Sequence, residues 1–430
     1  MLYHIGLPLV RMWEERILTD VIVGLDIGTS NIRVAIGEVT EDDKVQIVGL
    51  ATRPSNGVRN GTIINIEAAI TAIKDAVEAA EQNAGLEVFS CVTGIGGSQI
   101  ESYNSHGLAA VANKNHRARE ITQQDKDNAL DSACATLIPL DRDFLHVIPR
   151  DFIVDGIGGI KDPIDMMGVR LETDVHIVTA SKTSIQNVTS CINRAGYELD
   201  KVWLKTLAQV QAVAHEDELD MGSIIIDLGA GTTDVLVLND GASVCSLSIP
   251  VGQNFVTSDI SMELGIPFAV AEKIKLESGC CFEEALQTNY EVPIPGVGGR
   301  PPEMATQVDL CDIIQPRVEE IFAMVRNEIV HKTDLRRLDG NIILTGGGAQ
   351  MPGVVELAQY VFGTSAVRPG NPENLGGRSD EYKKPEYATV IGLIQSQKKY
   401  SGISDNASRK GMSSKGSKEG FLKRIFKQIF

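Results

Sequence analysis

One strand–turn–strand unit is written twice in this chain, and it constrains the fold more than any other feature. Ile224-Ile-Ile-Asp-Leu-Gly-Ala-Gly-Thr-Thr-Asp234 reads as a short β-branched strand ending in Asp227, a glycine turn, and a return strand through Val235-Leu-Val-Leu238. Val21-Ile-Val-Gly-Leu-Asp26-Ile-Gly-Thr-Ser-Asn-Ile-Arg33 repeats it, with a second strand from Val34 to Ile36. Short apolar runs of this kind fit central strands. Gly229 and Gly231 let backbone N–H groups approach an anion, and Thr232 and Thr233 add hydroxyl donors. Asp26 and Asp227 stand where they would face Mg²⁺ across bound phosphates, directly or through water. A single hairpin is compatible with an ordinary β-turn. Two matched hairpins, half a chain apart, predict an internal duplication with a cleft between like domains.

A third segment extends the pattern. Asn341-Ile-Ile-Leu-Thr-Gly-Gly-Gly-Ala-Gln-Met-Pro-Gly353 runs from a strand into Gly346, Gly347 and Gly348, then into a helix from about Val354. Glycines at a helix start can bind phosphate or let a base lie over bare backbone. In order and spacing, the three segments resemble the first phosphate, second phosphate and adenosine loops of the actin-like ATPase superfamily. The Walker pattern GxxxxGK[ST] is absent, which excludes a P-loop protein. The resemblance implies an α/β fold of duplicated, actin-like (ribonuclease H-like) domains flanking a cleft for ATP and Mg²⁺. Asp26, Gly28, Thr29, Ser30, Asn31, Arg33 and Gly229, Ala230, Gly231, Thr232, Thr233 would then meet phosphates and metal, and Gly346 to Gly348 the adenosine.

The 430 residues suffice for several domains. Seven cysteines without a CxxC pair read as reduced structural thiols. The N-terminus lacks a basic region followed by an apolar block, and no apolar run approaches the roughly 20 residues of a membrane span. A cytoplasmic protein is expected. Residues 398–430 carry nine Lys or Arg against Asp405 and Glu419, so the rest is more acidic than the net −17 indicates. An acidic body argues against nucleic acid, and a basic tail suits an anionic surface.

Residues 1–20 form an extension without clear pattern; a membrane helix built on Leu7, Leu9, Val10, Met12 and Trp13 is interrupted by Pro8 and acidic residues. The first domain occupies 21–97 and 173–205, the sheet resuming at Asp174–Ala180. Residues 98–172 read as an inserted α+β subdomain with an acidic helix from Thr122 to Ala135. The second domain spans 206–394, with a subdomain at about 257–330. His106, His146 and His176 lack metal-ligand spacing and read as structural. Helices crossing between the halves are expected at Leu204–Ala214 and Ala388–Ile394, where Ala388 and Gly392 allow close packing.

The insert sharpens the resemblance. Ser105-His-Gly, His146-Val-Ile-Pro, Gly168-Val-Arg-Leu-Glu172, Asp174-Val-His-Ile, Val297-Gly-Gly-Arg-Pro-Pro302 and Ile314-Gln-Pro-Arg-Val-Glu-Glu320 resemble the FtsA family of bacterial cell-division proteins. The likeness runs from about Val21 to Leu393 and resumes in the last ten residues. It implies ATP binding, self-assembly into filaments, tethering of the tubulin-like FtsZ through its C-terminal peptide, and recruitment of later division proteins through the insert. It places the protein on the cytoplasmic face of the membrane at the division site. Glu272 and Lys275, three apart on one helix face, would clamp ribose and base. Gln211 on the first crossing helix would orient the attacking water beside Asp227; an amide is no base, so hydrolysis would be slow at most. Arg300 and Arg317 are candidates for gripping an acidic partner peptide. Asn31 and Ala230 stand where many relatives carry Lys and Gly, which bears on phosphate affinity. A PilM-like pilus-assembly protein and a small-molecule kinase of the same superfamily are the alternatives.

Residues 395–419 are rich in Ser, Lys and Gly and read as a flexible linker. In 420–430, Phe421, Leu422, Ile425, Phe426, Ile429 and Phe430 make one helical face, with Lys423, Arg424 and Lys427 opposite. So short a helix is marginal in water and suited to an anionic lipid interface, where each lysine contributes about 1 kcal/mol. A partner groove is the other reading.

Overall fold

The computed structural model describes residues 21–111, 117–135, 138–333, 340–373, 375–377 and 380–410, with side chains to residue 401. Two sheets repeat one plan. In the first, Val21–Ile27, Asn31–Val39 and Val45–Pro54 form an antiparallel meander, and Ser90–Ile95 then Glu198–Leu204 add parallel strands on the other side of Val21–Ile27. In the second, Ser223–Leu228, Thr233–Asn239 and Ala242–Ile249 form the meander, and Asn341–Thr345 then Val367–Pro369 the parallel strands. The duplication read from two hairpins thus extends over whole sheets. Gly376–Gly377, late in the chain, returns to the first sheet beside Gln46 and Ile47.

Helices form where caps and apolar spacing agree. Ile66–Ala84 starts at Asn65, whose side chain accepts the Ala68 N–H, and stops at Gly85 in the left-handed conformation. Its buried alanines and Ile73 and Val77 cover the first sheet. Lys205–Val213 and Ala388–Lys410 run between the two sheets. Their buried residues Val210, Val213, Val390, Ile391 and Ile394 join Ala35 and Ile47 of the first sheet and Ile225, Leu236 and Ile343 of the second in one core. The halves therefore share buried apolar surface through the crossing helices.

Two expected boundaries move. Arg170–Ser181 pairs on both edges with Ile100–Ala110 and Arg142–Val154, so Asp174–Ala180 belongs to the insert; the first sheet resumes only at Glu198. The run reads as a strand in the sequence, but a strand does not name its partners. The four-stranded insert sheet carries helix Gln123–Cys134 on one face. The other boundary is the linker. The last helix continues through Lys410, and Ser396 is buried, so the first part of 395–419 is helical. Residues 1–20 and the amphipathic stretch 420–430 lie outside the described residues. Among the described residues no helix is long and apolar enough to cross a membrane.

Candidate nucleotide-binding site

The two phosphate-type hairpins close with the same register. Ile27 pairs with Ile32 around residues 28–31, and Leu228 with Thr233 around residues 229–232. Asp26 lies opposite Arg33, and Asp227 opposite Asp234. The turns meet face to face: a Cβ on Gly231 would lie 2.9 Å from Thr29 Oγ1 and 2.8 Å from Asn60 Cα. Only glycine permits this approach. Thr29 Oγ1 accepts the Gly61 N–H at 3.0 Å.

Between the halves lies a cleft of about 550 Å³. Asp26, Gly28, Thr29, Ser30, Asn31 and Arg33 line it from the first half. Asp227, Gly229, Ala230, Gly231 and Thr232 line it from the second, with Gly346, Gly347 and Gly348. Thr233 does not; it is fully buried and donates through Oγ1 to the Val251 carbonyl at 2.8 Å, just past strand Ala242–Ile249. Arg33 is paired with Glu386 at 2.5 Å, which ties the first hairpin to the start of the last helix.

Glu272 and Lys275 reach the cleft from helix Phe268–Ser278. Lys275 Nζ lies 2.8 Å from Glu272 Oε2 and donates to Thr257 Oγ1 at 2.8 Å. Burial lowers the Lys275 pKa, with Glu272 opposing. The pair is anchored, and it offers a carboxylate with a partly exposed face to a ligand hydroxyl.

Three carboxylates line the floor: Asp26, Asp227 and Asp234. Burial first, then the Asp234 charge, pushes Asp227 up to about 7, against Lys205 and Gln209. Burial also raises Asp234, although its carboxylate accepts the Gly97 N–H at 3.1 Å. Lys205 Nζ lies 2.5 Å from Asp26 Oδ1. Burial opposes the Lys205 charge, and Asp26, Asp227 and Asp234 together outweigh it and raise its pKa. Carboxylate oxygens of this kind fit a hard divalent cation such as Mg²⁺. Asp227 and Asp26 are the residues that would hold it, Asp26 being already engaged by an ammonium.

Gln211 is not at this site. It is exposed and meets Lys399 Nζ at 3.4 Å. Two residues along a helix turn a side chain about 200°, and the amide that faces the cleft floor is Gln209. Fully buried, it donates to Asp227 Oδ2 at 2.8 Å and Thr389 Oγ1 at 2.9 Å, and accepts from Thr345 Oγ1 at 3.0 Å. Gln209 holds Asp227; it does not line the cleft. Sequence reasoning missed Gln209, Lys205 and Asp234. A signal existed for two of them: Gln209 and Lys205 are polar positions on the buried stripe Leu204, Ala208, Val210.

Other candidates resolve differently. His146 Nε2 accepts the Leu204 N–H at 2.9 Å, and burial lowers its pKa to about 3. His176 links Asn104 and Ser246, docking the insert on the outer strand of the second half. Among the described residues no group of His, Cys, Asp and Glu could hold a metal by itself. Arg300 closes its own loop, donating to the Val297 and Gly265 carbonyls. Arg317 is bound by Asp259 at 2.6 Å and by Glu320. It lines a groove of about 850 Å³ with Asp259, Glu263, Asp309 and Asp312. The Arg317 guanidinium is thus taken up by carboxylates in an acidic groove, whereas Arg300 is exposed, bonds to backbone carbonyls and lies outside that groove.

Comparison with known proteins places this geometry. The family model described as "Cell division protein FtsA" matches residues 224–392, and "SHS2 domain inserted in FTSA" matches 97–179. The second range agrees with an insert that includes the strand through Ser181. "Cell division protein FtsA" of Borreliella burgdorferi is 42% identical over 414 residues, covering 95% of this chain and 99% of the relative. Those of Pseudomonas aeruginosa and Escherichia coli K12 are 37% and 33% identical, covering 94% and 87% of this chain and 96% and 89% of theirs. In fold, the chain is similar to the PilM–PilN type IV pilus biogenesis complex (TM-score 0.63, 15% identity, covering 88% of this chain and 98% of that one). It is also similar to MreB5 of Spiroplasma citri bound to ADP (TM-score 0.52, 14% identity, 91% and 99%). The chain belongs to the FtsA family of cell-division proteins, with an actin-like fold.

Proposed function

We propose that this protein binds ATP with Mg²⁺ in the cleft between its halves, assembles into filaments, and tethers FtsZ filaments to the cytoplasmic face of the membrane at the division site. The observation that carries the nucleotide reading is the meeting of both phosphate hairpins and the glycine run at 346–348 on one cleft. The ADP in the similarly folded MreB5 structure supports it. Phosphates would be held by backbone N–H groups of the two turns together with Thr29, Ser30 and Thr232. Gln209 orients Asp227, which would hold water or metal near the terminal phosphate. Asp227 already accepts a hydrogen bond from the Gln209 amide, and an amide is no base, which supports slow hydrolysis and a nucleotide used as a structural ligand.

Membrane attachment rests on the apolar face of Phe421, Leu422, Ile425, Phe426, Ile429 and Phe430 opposite Lys423, Arg424 and Lys427. For the partner, the groove beside Arg317 combines Met262, Leu264 and Ile313 with several carboxylates. That composition supports a segment of FtsZ that brings apolar and basic side chains. The insert, docked through His176 and Asn104, is the surface for later division proteins and for the next subunit.

The test is co-sedimentation with anionic liposomes in ATP, comparing the full chain with one truncated after Lys418. Pelleting of the full chain alone supports the tether. If both stay in the supernatant, the tail serves another surface, and a soluble actin-like protein of the PilM or kinase type becomes the better account.

A further inference from the structure

The cleft carries a cation of its own. Lys205 is the first residue of the crossing helix Lys205–Val213. Its Nζ lies 2.5 Å from Asp26 Oδ1 and donates to the Ile27 carbonyl at 3.2 Å. The two side chains are 12% and 9% exposed, and both residues line the cleft. The pair therefore sits inside the site, where charges are weakly screened. The position is built for the lysine stem. A Cβ on Gly94 would lie 2.9 Å from Lys205 Cγ, so the bare backbone of strand Ser90–Ile95 makes room for it.

An ammonium is a compact charge with three N–H donors. The Ile27 carbonyl accepts one of them, and the Asp26 carboxylate lies against the ammonium as an ion pair. A donor remains for an oxygen arriving in the cleft. Asp227 and Asp234 line the same floor, so an incoming triphosphate meets three carboxylates, and Lys205 matches one of them before it arrives. Arg33 and Lys275 also line the cleft, but they are paired with Glu386 and Glu272, so without Lys205 an added divalent cation would have to offset more of that repulsion.

We propose that Lys205 is a resident cation of the phosphate site, neutralising Asp26 and donating to a nucleotide phosphate oxygen, so that this chain binds nucleoside triphosphate with little dependence on Mg²⁺. The inference rests on the ATP-binding reading above. It differs from a structural ion pair in its consequence: a structural pair would hold the first hairpin to the crossing helix and leave the metal dependence unchanged.

The experiment is equilibrium binding of a fluorescent ATP analogue to the full chain, in EDTA and in Mg²⁺, for the wild type and for Lys205→Met. The wild type is expected to bind in EDTA within about tenfold of its affinity in Mg²⁺. Lys205→Met should lose about tenfold or more in EDTA, the worth of a charge-assisted hydrogen bond, and far less in Mg²⁺. A wild type that needs Mg²⁺ by more than about tenfold overturns the proposal, and that comparison needs no variant. Equal weakening of Lys205→Met in both conditions, with its thermal unfolding unchanged, overturns it as well. A wild type that binds no analogue in either condition overturns the ATP reading itself, a result distinct from a bound nucleotide that depends on metal.

Discussion

Gly392 of the last helix lies against the carbonyl oxygen of Ala208 on the first crossing helix, so close that any Cβ at 392 would overlap that oxygen. The two helices that join the halves are held at backbone contact by this one missing atom. Gly392→Val should cost about 3 kcal/mol or more, because neither buried helix can shift without opening the core shared by the two sheets. Thermal unfolding checks it. Retention of wild-type stability would mean that the helices separate more easily than their burial indicates.

Gln209 and Gln211 should behave as opposites. Gln209→Ala removes the buried amide donor to Asp227 and one acceptor of the Thr345 hydroxyl, and should cost about 1–3 kcal/mol, with weaker nucleotide binding. Gln211→Ala removes an exposed side chain and should stay within about 0.5 kcal/mol of wild type. Denaturant unfolding and nucleotide titration of both variants separate the roles. Equal effects would return Gln211 to the site.

Asp227 predicts a pH dependence of the nucleotide-free protein. Its folded pKa is raised to about 7 by burial and Asp234, above the ordinary carboxylate value. A raised pKa contributes stability that is present at low pH and lost as pH climbs through about 7, since folding then carries a buried charge. Asp234 is raised too and works in the same direction. Asp227→Asn should flatten the profile, gaining more over wild type at pH 8 than at pH 5. Unfolding curves at both pH values decide it.

The seven cysteines are all free and buried, and burial raises Cys91 and Cys311 to about 12. Little thiolate forms at neutral pH, so the native protein should react slowly with a thiol reagent at pH 8 and take up seven equivalents once unfolded. Fast labelling of a native thiol would show local opening near it.

Much of the fold and most of the cleft can be read along the chain. Strand, glycine and hydroxyl spacing within each hairpin is local, so Asp26, Gly28, Thr29, Ser30, Gly229 and Gly231 were legible without a partner in view. Their repetition determined the duplication. Which amide of the crossing helix faces Asp227 is settled by packing, because the helix is buried on most sides and two residues reverse the face. Packing also decides that Asp174–Ala180 pairs within the insert, since a strand does not name its neighbours. Lys205 shows the same limit. Its charge is written in the chain, but its pairing with Asp26, 179 residues earlier in the numbering, depends on two strands and a helix arriving at one point.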